Sequence, residues 1–368
     1  MRRLLPVAVM PAAAITAATL LLSAGSAGAA GTGIHHGRTA AVRQSPDVVV
    51  SWHKLHLING WVEAQGPSFP VGNAAYSIIN GVVYLTGGIK RASGTSDEFA
   101  VLPKAARLAH YVTLPVISNG INPAVVSIWP TGQMFSYFGD GPSYTSLDGL
   151  SYPAAGTRWQ KLALTKYWKS GQRTFSTGDP AYTVRGGIVY LSGSAVAKGS
   201  VVGTLATLPP GARPKYNLRI RTDTLDGVVG TMLIRPNGVM KAIGGNSQKL
   251  VLLAGISFPN AKFKWHAIAL TGWKSDESTN GTGGPAYGVV GPIVYLGGSM
   301  TRTTGSIIFA ATPGAIRPKH ELNIEVYTNN GSIGQIQVTK PSLYVESVPA
   351  NNAQDFTSLA GVSYPLSS

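Results

Sequence analysis

Leu147-Asp-Gly-Leu-Ser-Tyr-Pro153, Leu253-Ala-Gly-Ile-Ser-Phe-Pro259 and Leu359-Ala-Gly-Val-Ser-Tyr-Pro365 are one segment written three times. The prolines that close it stand 106 residues apart at both intervals. Upstream, Trp52-His-Lys-Leu-His-Leu57, Trp159-Gln-Lys-Leu-Ala-Leu164 and Trp265-His-Ala-Ile-Ala-Leu270 open the three copies at nearly the same period. Such a period is far longer than a solenoid unit and matches the common size of a folded domain. The chain therefore reads as three tandem domains, at 52–158, 159–264 and 265–368. The repetition supplies an internal control. Features shared by all copies should build the fold, and features confined to one copy are candidates for function.

Within each copy the signals are those of short strands. Ala75-Tyr-Ser-Ile-Ile79 and Val82-Val-Tyr-Leu85 flank Asn80-Gly81, a pair whose positive φ values suit a tight hairpin. The second copy has Gly186-Gly187 before Ile188-Val-Tyr-Leu191. The third has Gly291-Pro292 before Ile293-Val-Tyr-Leu296, so its turn should differ. The tyrosine pairs Tyr76/Tyr84, Tyr182/Tyr190 and Tyr287/Tyr295 share one face only if the turn preserves register. Pro-Gly loops follow at Leu102–Arg107, Leu208–Pro214 and Thr312–Pro318, and a second hairpin is marked by Pro130-Thr-Gly132 and Pro236-Asn-Gly238. With 45 glycines, 24 prolines and only 12% charged residues, the expected fold class is all-β. The expected architecture is three antiparallel, jelly-roll-like β-sandwiches of roughly seven to nine strands, with almost no helix. The joints Ala154–Arg158 and Asn260–Lys264 are short, so neighbouring copies should touch.

The N-terminus reads as an export signal over 1–29. Arg2 and Arg3 precede an apolar stretch from Leu4 to Leu22 and an Ala27-Gly-Ala29 cleavage pattern. A retained anchor is the alternative. A flexible tail follows at 30–51, in which His35-His36 has no partner suited to a metal site. The absence of cysteine excludes disulfides and a lipid-bearing thiol. Free secretion is expected, with wall association through charge as a variant.

The order Trp-x-x-Leu-x-Leu, Pro-Ala-Tyr, Gly-x-Val-Tyr-Leu, Leu-Pro-x-Gly-x-Arg-Pro and Leu-x-Gly-x-Ser-aromatic-Pro resembles the C-terminal receptor-binding domains of tailed-phage tail-fibre and minor tail proteins. The likeness covers most of each copy and rests mainly on core and turn residues. It implies a β-sandwich that assembles as a trimer and recognises surface glycans or wall polymers. Three copies in one chain would then pack as a covalent pseudo-trimer, or the chain would form a homo-oligomer.

Catalytic patterns are weak. Gly149-Leu-Ser151 and its counterparts lack the final glycine of a nucleophile elbow, and no helix is expected after them. No carboxylate recurs at one position in all copies: Asp148 aligns with Ala254 and Ala360. No phosphate-binding loop or metal spacing is present. The expectation is a non-enzyme with no catalytic residue, no cofactor and no metal. The repeated tryptophans read as packing residues. Arg107, Arg213 and Arg317 read as groups bonded to a nearby carbonyl or carboxylate.

Charge is the feature that does not repeat. Residues 159–264 hold fifteen basic and three acidic side chains, whereas the flanking copies are nearly balanced. Lys161, Lys166, Lys169 and Arg173 cluster early in this copy. Lys215, Arg219 and Arg221 alternate as on one strand face, and Arg235 and Lys241 add to them. A basic surface attracts polyanions and releases them as salt rises. These nine residues are the expected contacts for a cell-surface glycan or anionic wall polymer, and a nucleic-acid partner is not expected. The leading expectation is a secreted, non-catalytic binding protein. The alternatives are a structural scaffold in an extracellular or phage-derived assembly, and a surface-polymer hydrolase with one active copy.

Overall fold

Ile79 pairs with Val82 across Asn80-Gly81, whose φ values of 52° and 73° are those of the tight hairpin its sequence calls for. Gly186 and Gly187 make the same turn in the second copy. In the third, only Gly291 takes a positive φ (56°), because the proline ring fixes the next residue at negative φ, yet Val290 still pairs with Ile293. This register sets Tyr76 opposite Leu85 and Ser77 opposite Tyr84. Tyr76 and Tyr84 therefore lie on opposite faces, and the same holds in the other copies.

The computed structural model describes residues 50–66, 70–199, 203–346 and 352–368. The export signal expected at 1–29 lies outside them, and of the tail at 30–51 only the last two residues fall inside. Among the described residues the chain is almost entirely β, as the composition implies, with eleven strands in each copy, more than expected because several are only two or three residues long. Two one-turn helices, Gln172–Phe175 and Glu277–Asn280, and six 3-10 turns complete the structure.

Each copy is layered in the same way. One four-stranded antiparallel sheet runs in the order His53–Lys54, Ala75–Ile79, Val82–Thr86, Ser151–Pro153 in the first copy, and the second and third copies repeat this order. The opposing layer holds the longer strands, Val112–Ser118, Asn122–Ile128, Gln133–Tyr137 and Glu98–Val101 in the first copy. There it joins three short strands through the pairing of Thr145 with Ser118 to make seven strands. In the other copies a single bridge, Thr224 to Val251 or Thr328 to Thr357, makes that join. Side chains alternate across these strands, so each copy buries its own core, centred on Leu85, Phe99 and Leu114, on Leu191, Ile220 and Phe258, and on Leu296, Phe309 and Ile324.

The repeated polar groups are bonded inside this frame. Trp61, Trp168 and Trp273 are buried, and their indole N–H groups donate to the carbonyls of Ser96, Gly203 and Ser306 at 2.8, 3.2 and 3.1 Å. Arg107, Arg213 and Arg317 each donate Nε–H to the carbonyl five residues upstream. Tyr152 and Tyr364 donate to the carbonyls of Ala106 and Ile316, a bond that Phe258 cannot make.

The copies contact one another in a closed cycle. The backbone N–H of Tyr111 donates to Ser176 O, that of Asn217 to Gly281 O, and that of Glu321 to Pro70 O. The first copy thus reaches the second, the second the third, and the third the first. The closing glycines obey the same cycle, each at positive φ against the adjoining copy. A Cβ on Gly255 would lie 2.8 Å from Leu114, on Gly361 2.9 Å from Ile220, and on Gly149 2.7 Å from Ile324. These are the glycines of the Gly-x-Ser pattern, and close packing accounts for them. A fourth apolar cluster draws on all copies, with Val82, Ile188 and Ile293 around Tyr84, Tyr190 and Tyr295. The hydroxyl of Tyr190 lies 3.4 Å from those of both Tyr84 and Tyr295. Burial raises all three phenols above the ordinary tyrosine range, Tyr84 and Tyr295 well above it.

Candidate functional site

The cycle leaves a cleft at each junction. Between the second and third copies it holds about 290 Å³ and is lined by Lys215, Tyr216, Trp265, Glu277, Gly297 and Ala360 among others. The cleft between the third and first copies holds about 180 Å³, with Trp52, Lys54, Lys319 and His320. Between the first and second it is about 40 Å³, with Trp159 and His110. Each thus has a half-buried indole on one wall and an aromatic ring, His110, Tyr216 or His320, supplied by the adjoining copy. In the largest, the Trp265 ring packs against Gly297, a position that differs between the copies. Thr86 and Ser192 occupy the position held by Gly297, where a Cβ would fall 2.7 Å from the Trp265 ring. The repeated tryptophans therefore divide into two sets, one in the cores and one at the junctions. A concave, mainly apolar site with a few converging polar groups is the usual form of a ligand pocket. At the largest cleft those groups are Lys215, whose ammonium lies 5.1 Å from the Tyr216 ring centre, and the carboxylate of Glu277.

The nine basic residues expected to form one surface are distributed differently. Lys166, Lys169 and Arg173 are exposed on adjoining turns of chain, and Lys198 joins them because its N–H donates to Tyr167 O and Lys169 pairs with Val196. Lys161 is exposed and paired with Asp179 at 2.9 Å. Arg235 and Lys241 are exposed on the outer sheet. Lys215 precedes its strand, which begins at Leu218, and sits at the rim of the cleft. Arg219 is half-buried. Its guanidinium donates to Asn280 Oδ1 at 3.3 Å and lies 5.9 Å from the Phe356 ring, so it links the second and third copies.

Arg221 is a correction. It shares the strand face of Arg219, as the alternation implies, but that face turns inward at the meeting of the copies, and the side chain is only 4% exposed. It lies 3.1 Å from Asp223 and forms a second, close ion pair with Glu325 of the third copy. A buried guanidinium held by two carboxylates is not available to a surface polymer. Burial pushes Asp223 up to about 6 and Glu325 up to about 8, with Arg221 opposing both shifts. Burial thus disfavours the charged form of both carboxylates, and the Arg221 guanidinium between them offsets part of that cost.

Asp148, the carboxylate of a single copy, is also a link between copies. It accepts from Thr86 Oγ1 and Gly87 N at 2.8 Å each and from Asn323 N of the third copy at 3.0 Å. Burial raises it to about 6. Its bonds thus tie the first copy to the third. Among the described residues no group of three or more acidic or histidine side chains could hold a metal ion. Lys198, Tyr216 and the Arg221–Glu325 pair were not among the residues that sequence reasoning singled out. Only the last had a signal, since Pro115, Arg221 and Glu325 stand at one position of the repeat.

No family model, curated protein or solved structure matches this chain.

Proposed function

We propose that the chain is a secreted, non-catalytic binding protein whose three copies fold as a covalent pseudo-trimer, and that its second copy takes an anionic surface glycan or wall polymer. The observation that carries this reading is the cleft between the second and third copies. It sets the Trp265 indole of the third copy against the Tyr216 phenol and Lys215 of the second, the copy with fifteen basic and three acidic residues. Aromatic walls suit the apolar faces of sugar rings, and the Lys215 ammonium at the rim suits phosphate or carboxylate. Support for the pseudo-trimer is the closed cycle of equivalent hydrogen bonds and glycine contacts. A ring of head-to-tail contacts that closes on itself is how three identical subunits assemble. The tail-fibre likeness is consistent with such an arrangement and remains part of the proposal.

Pelleting of the mature protein with purified bacterial wall tests the reading, with anionic polymer retained or stripped. Binding should require the polymer and fall steeply between about 50 and 200 mM salt. Lys215→Glu and the pair Lys166→Glu with Lys169→Glu should each weaken it, while Lys340→Glu in the third copy should not. Binding that ignores salt, or that survives removal of the polymer, would refute the proposal.

A further inference from the structure

The first copy carries, on the outer face of its long-strand sheet, a row of five aromatic rings. Tyr111, Trp129, Phe135, Tyr137 and Phe138 follow one another with ring centres 6.2, 5.7, 5.6 and 6.5 Å apart. Phe135 and Tyr137 are two residues apart on one strand and their planes differ by only 5°. Next to them on the adjoining strand stand Ser127 and Val125, small residues fully covered, so that the rings form the surface. Trp129 is 45% exposed and Phe138 53%.

This row is held in place. The Tyr111 hydroxyl lies 3.1 Å from Ser127 Oγ. Trp129 is fixed by the tight turn in which its N–H donates to Gln133 O at 2.9 Å. Phe138 adopts φ 67°, a conformation unfavourable for a bulky residue, with its ring against Gly227 of the second copy, where a Cβ would fall 2.6 Å away. Strain of this kind persists where the surroundings impose it, and it is characteristic of binding sites.

The row is also confined to one copy. The positions of Trp129, Phe135 and Tyr137 are held by Arg235, Lys241 and Ile243 in the second copy and by Thr339, Tyr344 and Glu346 in the third. The same place in the fold is therefore basic in one copy and aromatic in another. No lysine or arginine replaces those charges here. The rim carries a carboxylate instead: Glu98 stands opposite Phe135, while its neighbour Asp97 is paired with Arg91 at 3.1 Å. Burial, with Tyr111 and these carboxylates nearby, raises the Tyr137 hydroxyl above its ordinary range.

We propose that this row binds a linear, uncharged polysaccharide, with the faces of successive sugar rings on Trp129, Phe135 and Tyr137 and with Glu98 and Gln133 accepting or donating hydrogen bonds to hydroxyls. Charge decides the occupant. The acidic rim repels the polyanion proposed for the second copy, whereas carboxylates are strong acceptors for sugar hydroxyls. A contiguous exposed aromatic strip marks an interaction surface, where scattered apolar residues would not. The two sites stand or fall separately, because one is sensitive to salt and the other is not.

The test is titration of the mature protein with cellohexaose, laminarihexaose and N-acetylchitohexaose, followed by tryptophan fluorescence. At least one should give a saturable change whose affinity is unaltered by about 0.5 M NaCl. Trp129→Ala and Phe135→Ala should each weaken it by about tenfold or more, and Tyr344→Ala, at the equivalent place in the third copy, should leave it unchanged. Unaltered melting of Trp129→Ala would show that the fold is intact. Failure of all three hexaoses to bind, or equal binding by Trp129→Ala, would overturn the proposal. So would a dimer in sedimentation equilibrium that Trp129→Ala dissociates, because a second copy of the chain would then be the occupant.

Discussion

At one level of the ring the three copies present the same residue, and at another they do not. Tyr84, Tyr190 and Tyr295 bring three hydroxyls together, whereas Pro115, Arg221 and Glu325 stand at another equivalent position and bring together a ring, a cation and a carboxyl. Identical hydroxyls can face one another because each both donates and accepts. Identical charges cannot, since like charges that meet out of water force one another to neutralise. A ring of three separate but identical subunits must place the same residue at all three positions. Copies joined in one chain are free of that condition, so Arg221 can be set against Glu325. The asymmetric pair then specifies which faces meet, a role in which polar groups are better attested than in raising stability.

Breaking the asymmetric level should have the largest effect. Arg221→Met leaves Asp223 and Glu325 buried without a counter-ion, and removal of one partner from such a group costs about 3–5 kcal/mol. Guanidinium or urea unfolding should show a clear drop in midpoint. Adding Glu325→Met should restore part of the loss, because the second carboxylate no longer needs a partner. Lys241→Met, on the same sheet face but exposed, should change stability by less than about 0.5 kcal/mol. If Arg221→Met were as mild as Lys241→Met, the ion pairs would contribute nothing to the joining of the copies.

The same level should govern the response to pH. Asp148 and Asp223 are raised to about 6 and Glu325 to about 8, against roughly 3.9 and 4.3 in an unfolded chain. The folded state therefore binds more protons than the unfolded state across this interval, and stability must fall as pH rises through it. His320, which burial and Lys319 hold below its usual value, works in the opposite direction as a single, largely exposed group. Melting temperature should accordingly be higher at pH 5 than at pH 8.5. Glu325→Gln should be nearly neutral at pH 5 and stabilising at pH 8.5, flattening the alkaline part of the curve. A variant whose curve runs parallel to that of the parent would remove Glu325 from the account.

The all-β class and the hairpins could be read from Asn80-Gly81, Gly186-Gly187 and Gly291-Pro292, because local turn chemistry does not depend on distant partners. The bonds of Arg107 and its counterparts were readable for the same reason. The fate of Arg221 was not. Alternation placed it correctly on a strand face, but which faces meet is fixed by contacts between copies about a hundred residues apart, and no local pattern encodes them. Asp148 had a visible signal in being a single carboxylate among alanines, and its bond to Asn323 explains that signal structurally. The aromatic row was equally open to comparison of the copies, since Trp129 and Phe135 replace Arg235 and Lys241. The row carries no charge of its own, so a count of charges by copy does not register it.

The smallest effect should come from the level where the copies are alike, and its size is what makes it informative. Tyr190 contacts both other hydroxyls, at 3.4 Å each, a separation longer than that of a strong hydrogen bond. Tyr190→Phe removes one hydroxyl and leaves the ring, so the apolar packing with Ile188 and Ile293 is retained. The loss should be about 0.5–1.5 kcal/mol, the ordinary net worth of a hydrogen bond. Tyr84→Phe should cost about the same if the three hydroxyls share their protons around the ring. A smaller loss for Tyr84→Phe than for Tyr190→Phe would mean that the bonds run only through Tyr190 and that even this level has lost its symmetry. The double substitution tests whether the two hydroxyls depend on one another at all. Equivalent hydroxyls that depend on one another should give less than the sum of the single losses, and independent ones should give the sum.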